Sequence, residues 1–155
     1  MDKLWAPWRI KYIQAKKTKG CIFCLKPKQK KDKINYIVAR GKYVYSILNI
    51  FPYNNGHIMI TPYRHIADID KLNVQEWAEM FEFIKNTTQL LKIKLQAQGF
   101  NIGFNIGKVA GAGIDQHLHM HIVPRWDADT NFMPVLTDSK VISQSLDELY
   151  RILTT

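Results

Sequence analysis

The stretch that most limits what this chain can become is residues 117–123, His-Leu-His-Met-His-Ile-Val. Three histidines fall at alternate positions, with apolar residues between and after them. Successive side chains of a strand point to opposite faces. A strand here therefore puts all three imidazoles on one face and turns Leu118, Met120 and Ile122 into a core. Pro124 has no N–H to give a ladder and is expected to end that strand. A single histidine is ordinarily a solvated or core imidazole. Three at period two serve neither purpose and mark a functional site. The chain has five histidines, His57, His65, His117, His119 and His121, and two cysteines, Cys21 and Cys24, in one C-x-x-C. These few reactive side chains are expected to gather at one site.

A length of 155 residues fits one domain with a real core. Within it, residues 1–33 read as an N-terminal segment, 34–125 as the core and 126–155 as a tail with a helix. No apolar run approaches the ~20 residues of a membrane span. The charged N-terminus has no apolar stretch behind it, so a secretory signal and a membrane partner are not expected, and a cytoplasmic setting is. The net charge of +9 comes from 22 basic and 13 acidic residues, and many of the lysines lie early. No nucleic-acid-binding module accompanies them, so nucleic acid is not the expected partner. A solvated lysine-rich loop over 25–33 is expected, and its charge raises the local concentration of a polyphosphate.

Residues 1–20 carry Trp5, Trp8, Ile10, Tyr12 and Ile13, too apolar for a free tail, and are expected to pack on the domain or on a partner subunit. Residues 34–39 (INYIVA) and 43–48 (YVYSIL) read as a hairpin around Gly41-Lys42. Residues 49–56 (NIFPYNNG) read as a loop and 57–61 (HIMIT) as a third strand. Asn73 and Glu76 form a capping box opening a long helix, with Trp77, Phe81, Ile84, Thr88, Leu91 and Leu95 at helical spacing and Gly99 at its end. Residues 100–107 (FNIGFNIG) read as a fourth strand, 109–113 as a small-residue loop, 127–135 as irregular and 140–153 as a second helix. The fold class is α+β: a mainly antiparallel five-stranded sheet with one long helix on a face and a C-terminal helix.

Cys21 and Cys24 can chelate one ion, and His65 with one triad histidine would complete a tetrahedral zinc set. A thiol redox pair and two unremarkable thiols are the other readings, although the thioredoxin-like context of a redox C-x-x-C is missing. A neutral imidazole of the triad can attack phosphorus, dividing one displacement into two. Its other ring nitrogen must then be held as a donor, for which a backbone carbonyl suffices. Amides of the 111–113 loop, at Gly111 and Gly113, are candidates for an anion nest. No Walker loop is present, which argues against a mononucleotide kinase or ATPase.

His-Leu-His-Met-His-Ile-Val, with C-I-F-C at 21–24 and NNGHIMITP at 54–62, resembles the histidine-triad (HIT) family of nucleotide hydrolases and transferases. The flanks LWAPWRIKYI, NIFPYNNGH, GFNIGFNIG and PRWDADTNFMPV are similar to its prokaryotic diadenosine-tetraphosphate phosphorylase or hydrolase branch, with the fragile-histidine-triad hydrolases next. The resemblance implies a HIT-like fold and a homodimer, or a higher homo-oligomer, whose sheets join across a two-fold axis. It implies a dinucleoside polyphosphate substrate and a covalent nucleotidyl intermediate on His119, resolved by phosphate or water. His121 would sit beside the α-phosphate and His57 would complete the catalytic set. Asn49 would bind the ribose, Ile47 would line the nucleoside pocket, and Asn105 would lie near the phosphates. Zinc would be held by Cys21, Cys24, His65 and His117. The chain departs from the family pattern in having no Ser or Thr over 111–116, where many members place one for the leaving group. Two alternatives stand beside this reading. One is a purine nucleoside phosphoramidase cleaving a P–N bond, and the other a zinc-stabilised nucleotide-binding adaptor.

Overall fold

The structure, a computed structural model, describes residues 20–130 and 141–155. The expected packing of residues 1–19, and residues 131–135 of the irregular stretch, lie outside the described residues. Five strands form one sheet: β1 (Ile37–Arg40), β2 (Val44–Leu48), β3 (Ile58–Pro62), β4 (Gly99–Phe104) and β5 (Met120–Arg125). Their spatial order is β1-β2-β3-β5-β4, and every neighbouring pair is antiparallel. Among the described residues four α-helices accompany them: α1 (Ile22–Lys28), α2 (Asp32–Asn35), α3 (Val74–Leu95) and α4 (Leu146–Thr154). Among the described residues, no helix is long and apolar enough to cross a membrane.

Strand alternation divides the apolar side chains between two faces. Val44, Leu48, Ile58, Ile60, Met120 and Ile122 pack under Met80 and Leu91 of α3 and Leu149 and Leu153 of α4. Tyr45, Ile47 and Met59 face the other way and meet Phe23 of α1. On that second face one row crosses the sheet, because Ile37 pairs with Ile47, Ile47 with Met59, Met59 with His121 and His121 with Gly103. The odd-numbered positions of β5 thus share the face that α1 covers.

Several elements depart from the expectations. Residues 25–33 are not a loop, since α1 and α2 occupy most of them. Pro27 sits inside α1 and cannot bond the carbonyl of Phe23. The Tyr45 hydroxyl donates to that carbonyl at 2.7 Å instead, so the helix survives its proline. The first strand begins at Ile37, because Ile34 and Asn35 belong to α2 and Tyr36 turns through a left-handed φ of 58°. The capping box of α3 forms as expected, with Asn73 Oδ1 accepting from the Glu76 N–H at 2.8 Å. The helix ends on Gln96, left-handed at φ 54°, while Gly99 opens β4. Phe81 of the expected stripe is exposed, and Met80 and Thr87 are buried in its place. The fourth strand stops at Phe104 rather than 107.

β5 starts at Met120 and runs through Pro124 to Arg125. The Pro124 carbonyl accepts from Asn54 Nδ2 at 3.0 Å, so its missing N–H also faces that side, past the last β3 pair, and no ladder bond is lost. α4 is shorter than 140–153. Ser145 caps it, Val141 is exposed before it, and Lys140 lies outside the described residues.

Candidate active site and metal centre

Only His121 of the triad lies within a regular strand. His117 and His119 precede β5 in a segment pinned at Leu118, whose N–H donates to the Ile66 carbonyl at 2.6 Å. Its carbonyl accepts from Thr61 Oγ1 at 2.9 Å. Parity is preserved, so the three imidazoles share a face. The His119 and His121 rings lie 4.9 Å apart between centroids. All three are buried, as is His57, which the loop before β3 brings to the same place.

Backbone groups fix the tautomers of His57, His119 and His117, and His57 fixes that of His121. A backbone N–H can only donate, so the Tyr53 N–H, 3.1 Å from His57 Nδ1, makes that nitrogen an acceptor. Asn49 Nδ2 approaches the same nitrogen at 3.3 Å, while Asn49 Oδ1 accepts from the Phe51 N–H. The His57 proton therefore sits on Nε2 and is donated to His121 Nδ1 at 2.8 Å. His121 in turn carries its proton on Nε2, turned outward. On His119, Nδ1–H donates to the His117 carbonyl at 2.8 Å, leaving an in-plane lone pair on Nε2. On His117, Nε2–H donates to the Pro62 carbonyl at 2.9 Å, leaving the lone pair on Nδ1.

Electrostatics agree with these assignments. Burial, aided by His121 and His119, pushes the His57 pKa down to about 3. Burial and His119 push His121 down to about 4. Burial also lowers His119, partly offset by its bond to the His117 carbonyl. The cluster is neutral at pH 7, as both a nucleophile and a tautomer relay require.

The His117 lone pair points away from the His119 site into a second cluster. His117 Nδ1 lies 3.3 Å from Cys21 Sγ, 3.5 Å from Cys24 Sγ and 3.2 Å from His65 Nδ1, and Cys24 Sγ lies 3.4 Å from His65 Nδ1. All four ligand atoms fall within 4.8 Å of one another. Tetrahedral zinc, with bonds of roughly 2.0–2.3 Å, separates its ligand atoms by about 3.3–3.8 Å, so the donor set fits such an ion. Burial, followed by the Cys21 thiol beside it, pushes the Cys24 thiol up, an effect that a bound dication reverses. The cluster can hold a metal ion. Arg64 anchors the outer ligand's loop through Nε and Nη2 to the Glu76 carboxylate, both at 2.7 Å.

The remaining expected residues fall at varying distances. Asn105, just past β4, places Nδ2 3.5 Å from His121 Nε2. Ile47 is buried beside Met59 in the apolar row that ends on His121. Gly111 is left-handed at φ 86°, and its N–H is used on the Lys108 carbonyl, so that amide is not offered to the imidazoles. The 107–116 loop reaches this face through Ile114, packed on the same cluster.

Two neighbours of the histidines were not picked out from sequence. Phe23, between the two cysteines, sets its ring 4.9 Å from His119 and 5.4 Å from His117. Its place inside C-I-F-C was the available signal. Tyr53 lies 4.6 Å from His57 and stacks on His121 at 5.4 Å and 24°. Its place four residues before His57 gave no periodic signal.

This fold and this set of imidazoles define a class: nucleotide-binding proteins with a histidine triad on an antiparallel sheet. The HIT domain family matches residues 30–128, and the chain belongs to that family. It is 37% identical to the AP-4-A phosphorylase of Mycobacterium tuberculosis over 163 aligned residues, which take in all of this chain and 84% of that protein. It is 30% identical over 91 residues to the bis(5'-adenosyl)-triphosphatase of Saccharomyces cerevisiae, covering 58% of this chain and 44% of that one. Among solved structures, a Zn-bound histidine triad family protein from Mycobacterium smegmatis superimposes with a TM-score of 0.70 at 25% identity. That match covers 87% of this chain and 91% of that one.

Proposed function

We propose that this protein is a HIT-family enzyme that transfers a nucleotidyl group from a dinucleoside polyphosphate, diadenosine tetraphosphate or a close relative, through His119. The observation that carries this reading is the His119 Nε2 lone pair, kept available by the Nδ1–H bond to the His117 carbonyl. His119 Nε2 attacks the α-phosphorus. The bond from that phosphorus to the bridging oxygen breaks, and a nucleoside polyphosphate leaves with the electron pair. The outward His121 Nε2–H, held by His57, donates to a phosphoryl oxygen. Asn49 receives the ribose, Ile47 floors the nucleoside pocket, and Asn105 and the Gly113 end of the 107–116 loop lie along the phosphates. Gly111 acts through the turn it permits rather than through its amide.

Phosphate is the expected acceptor. The likeness to a phosphorylase runs along the whole chain, whereas that to a triphosphatase covers 58% of it. Zinc, held by Cys21, Cys24, His65 and His117, would supply folding free energy. Its ligand His117 keeps the carbonyl that orients His119, and a reducing cytoplasm keeps both thiols competent as ligands. Residues 1–155 act as one unit, in a homodimer or a larger homo-oligomer.

The test is incubation with diadenosine tetraphosphate, with and without inorganic phosphate, followed by product analysis. ADP and ATP appear in the presence of phosphate, and His119→Ala lowers the rate by at least about 1,000-fold. A folded His119→Ala protein that still turns over overturns the reading.

A further inference from the structure

Tyr53 touches the histidines through its backbone and its ring, and a third contact has no structural duty. Its hydroxyl lies 3.2 Å from Asn105 Nδ2. That amide nitrogen donates, so the phenol oxygen accepts and its own proton is free to point elsewhere. Beside it, His121 Nε2–H and Asn105 Nδ2 stand 3.5 Å apart, two donors side by side rather than a donor and an acceptor. With the phenol O–H they make a row of three donors that suits an anion, the phenol oxygen and His121 Nε2 both within 3.5 Å of Asn105 Nδ2. Tyr53 is 49% exposed while its ring touches the buried His57 and His121, so the residue stands at the mouth of the cluster. It also borders a cavity of about 230 Å³ lined by Asn101, Val123 and Arg125. Val123 lies two residues beyond His121 on β5 and pairs with Asn101, so the cavity continues the histidine face. A group attached to a phosphate at His119 and His121 has room to run there. Residues 107–116 contain no hydroxyl side chain that could serve instead.

We propose that the Tyr53 hydroxyl is a specificity-determining contact to the polyphosphate leaving group. This rests on the nucleotidyl-transfer reading above. As His119 Nε2 bonds to the α-phosphorus and the bond to the bridging oxygen breaks, the electron pair stays on that oxygen. The oxygen then belongs to the terminal phosphate of the departing nucleoside polyphosphate. The phenol O–H donates to that phosphate while its charge grows, and no proton is transferred.

The test is Tyr53→Phe, which keeps the ring stacking and the backbone N–H and removes only the hydroxyl. Two substrates are compared: diadenosine tetraphosphate, and the p-nitrophenyl ester of AMP, whose leaving group has no phosphate. A hydrogen bond to a charged group predicts a loss of about 10- to 100-fold in kcat/KM on the first substrate. The ester should change by less than about threefold, and AMP affinity by calorimetry should stay within about twofold. Equal losses on both substrates, weakened AMP binding, or no loss on either would overturn the proposal. Wild-type protein that cleaves neither substrate would overturn the nucleotidyl-transfer reading as well. Wild-type turnover of both, with Tyr53→Phe unaffected, would sink only the role of Tyr53.

Discussion

The imidazoles at the centre of this protein are held in single tautomers by a chain of contacts that starts from backbone groups. The Tyr53 N–H orients His57, His57 orients His121, and the His117 carbonyl orients His119. Burial adds to this by disfavouring imidazolium throughout the cluster. The arrangement has a consequence for stability. His57 has a pKa of about 3 in the folded chain, against an ordinary value near 6.5, so the unfolded chain takes up its proton first. Neutral His57 therefore favours the fold above pH 6.5, and that contribution is lost as pH falls from 6.5 toward 3. His121, at about 4, acts in the same direction. The melting temperature should be level near neutrality and decline steadily between pH 6.5 and pH 4. A protein that grows more stable over that interval would show that these imidazoles are charged in the fold.

At the level of elements, α1 links the two clusters. It begins at one cysteine, carries the other and presses Phe23 against His119 between them. A metal ion there would clamp a seven-residue helix too short to be stable alone. Removing the ion with a chelator, or replacing Cys24 by Ser, should lower the melting temperature by several degrees, on the order of 1–3 kcal/mol. It should also expose the chain near Gly20 to protease. Unchanged melting and unchanged proteolysis in metal-free protein would mean the cluster holds nothing.

Much of this level is legible in the sequence. Alternation alone assigns Met120 and Ile122 to the α3 side and His121 to the other. Asn73 and Glu76 announce the start of α3. Asn54-Asn55-Gly56 announces the turn into β3. Gly56 there is left-handed at φ 77°, and an added Cβ would come within 2.8 Å of a Leu95 methyl. What is not legible depends on distant partners. A lysine-rich run containing Pro27 shows no helical period, and α1 exists because Tyr45 satisfies the Phe23 carbonyl from 22 residues away. Glu79 is similar. It accepts the N–H groups of Lys42, Tyr43 and Val44 at 2.6–2.8 Å, closing the β1–β2 turn across more than thirty residues. Burial alone would raise its pKa, but the three N–H donors outweigh burial and hold the carboxyl below its usual range.

For the whole molecule, the sheet separates two tasks. One face packs the large core against α3 and α4, and the other carries the reactive side chains under α1. Residues from both sides of α3 in sequence meet on that second face, His57 and His65 before it and the triad after it. The chemistry therefore depends on the complete sheet and not on one local motif. The net charge of +9 suits a polyanionic substrate. The central claim is that the nucleotidyl group passes through a covalent bond to His119. The most direct measurement mixes wild-type protein with diadenosine tetraphosphate in the absence of phosphate, quenches it in alkaline denaturant within one turnover, and maps the adduct by peptide mass spectrometry. The account predicts an adenylyl group on His119, formed as fast as ATP is released and discharged when phosphate is added. ATP release with no adduct, or an adduct on another residue, would contradict it.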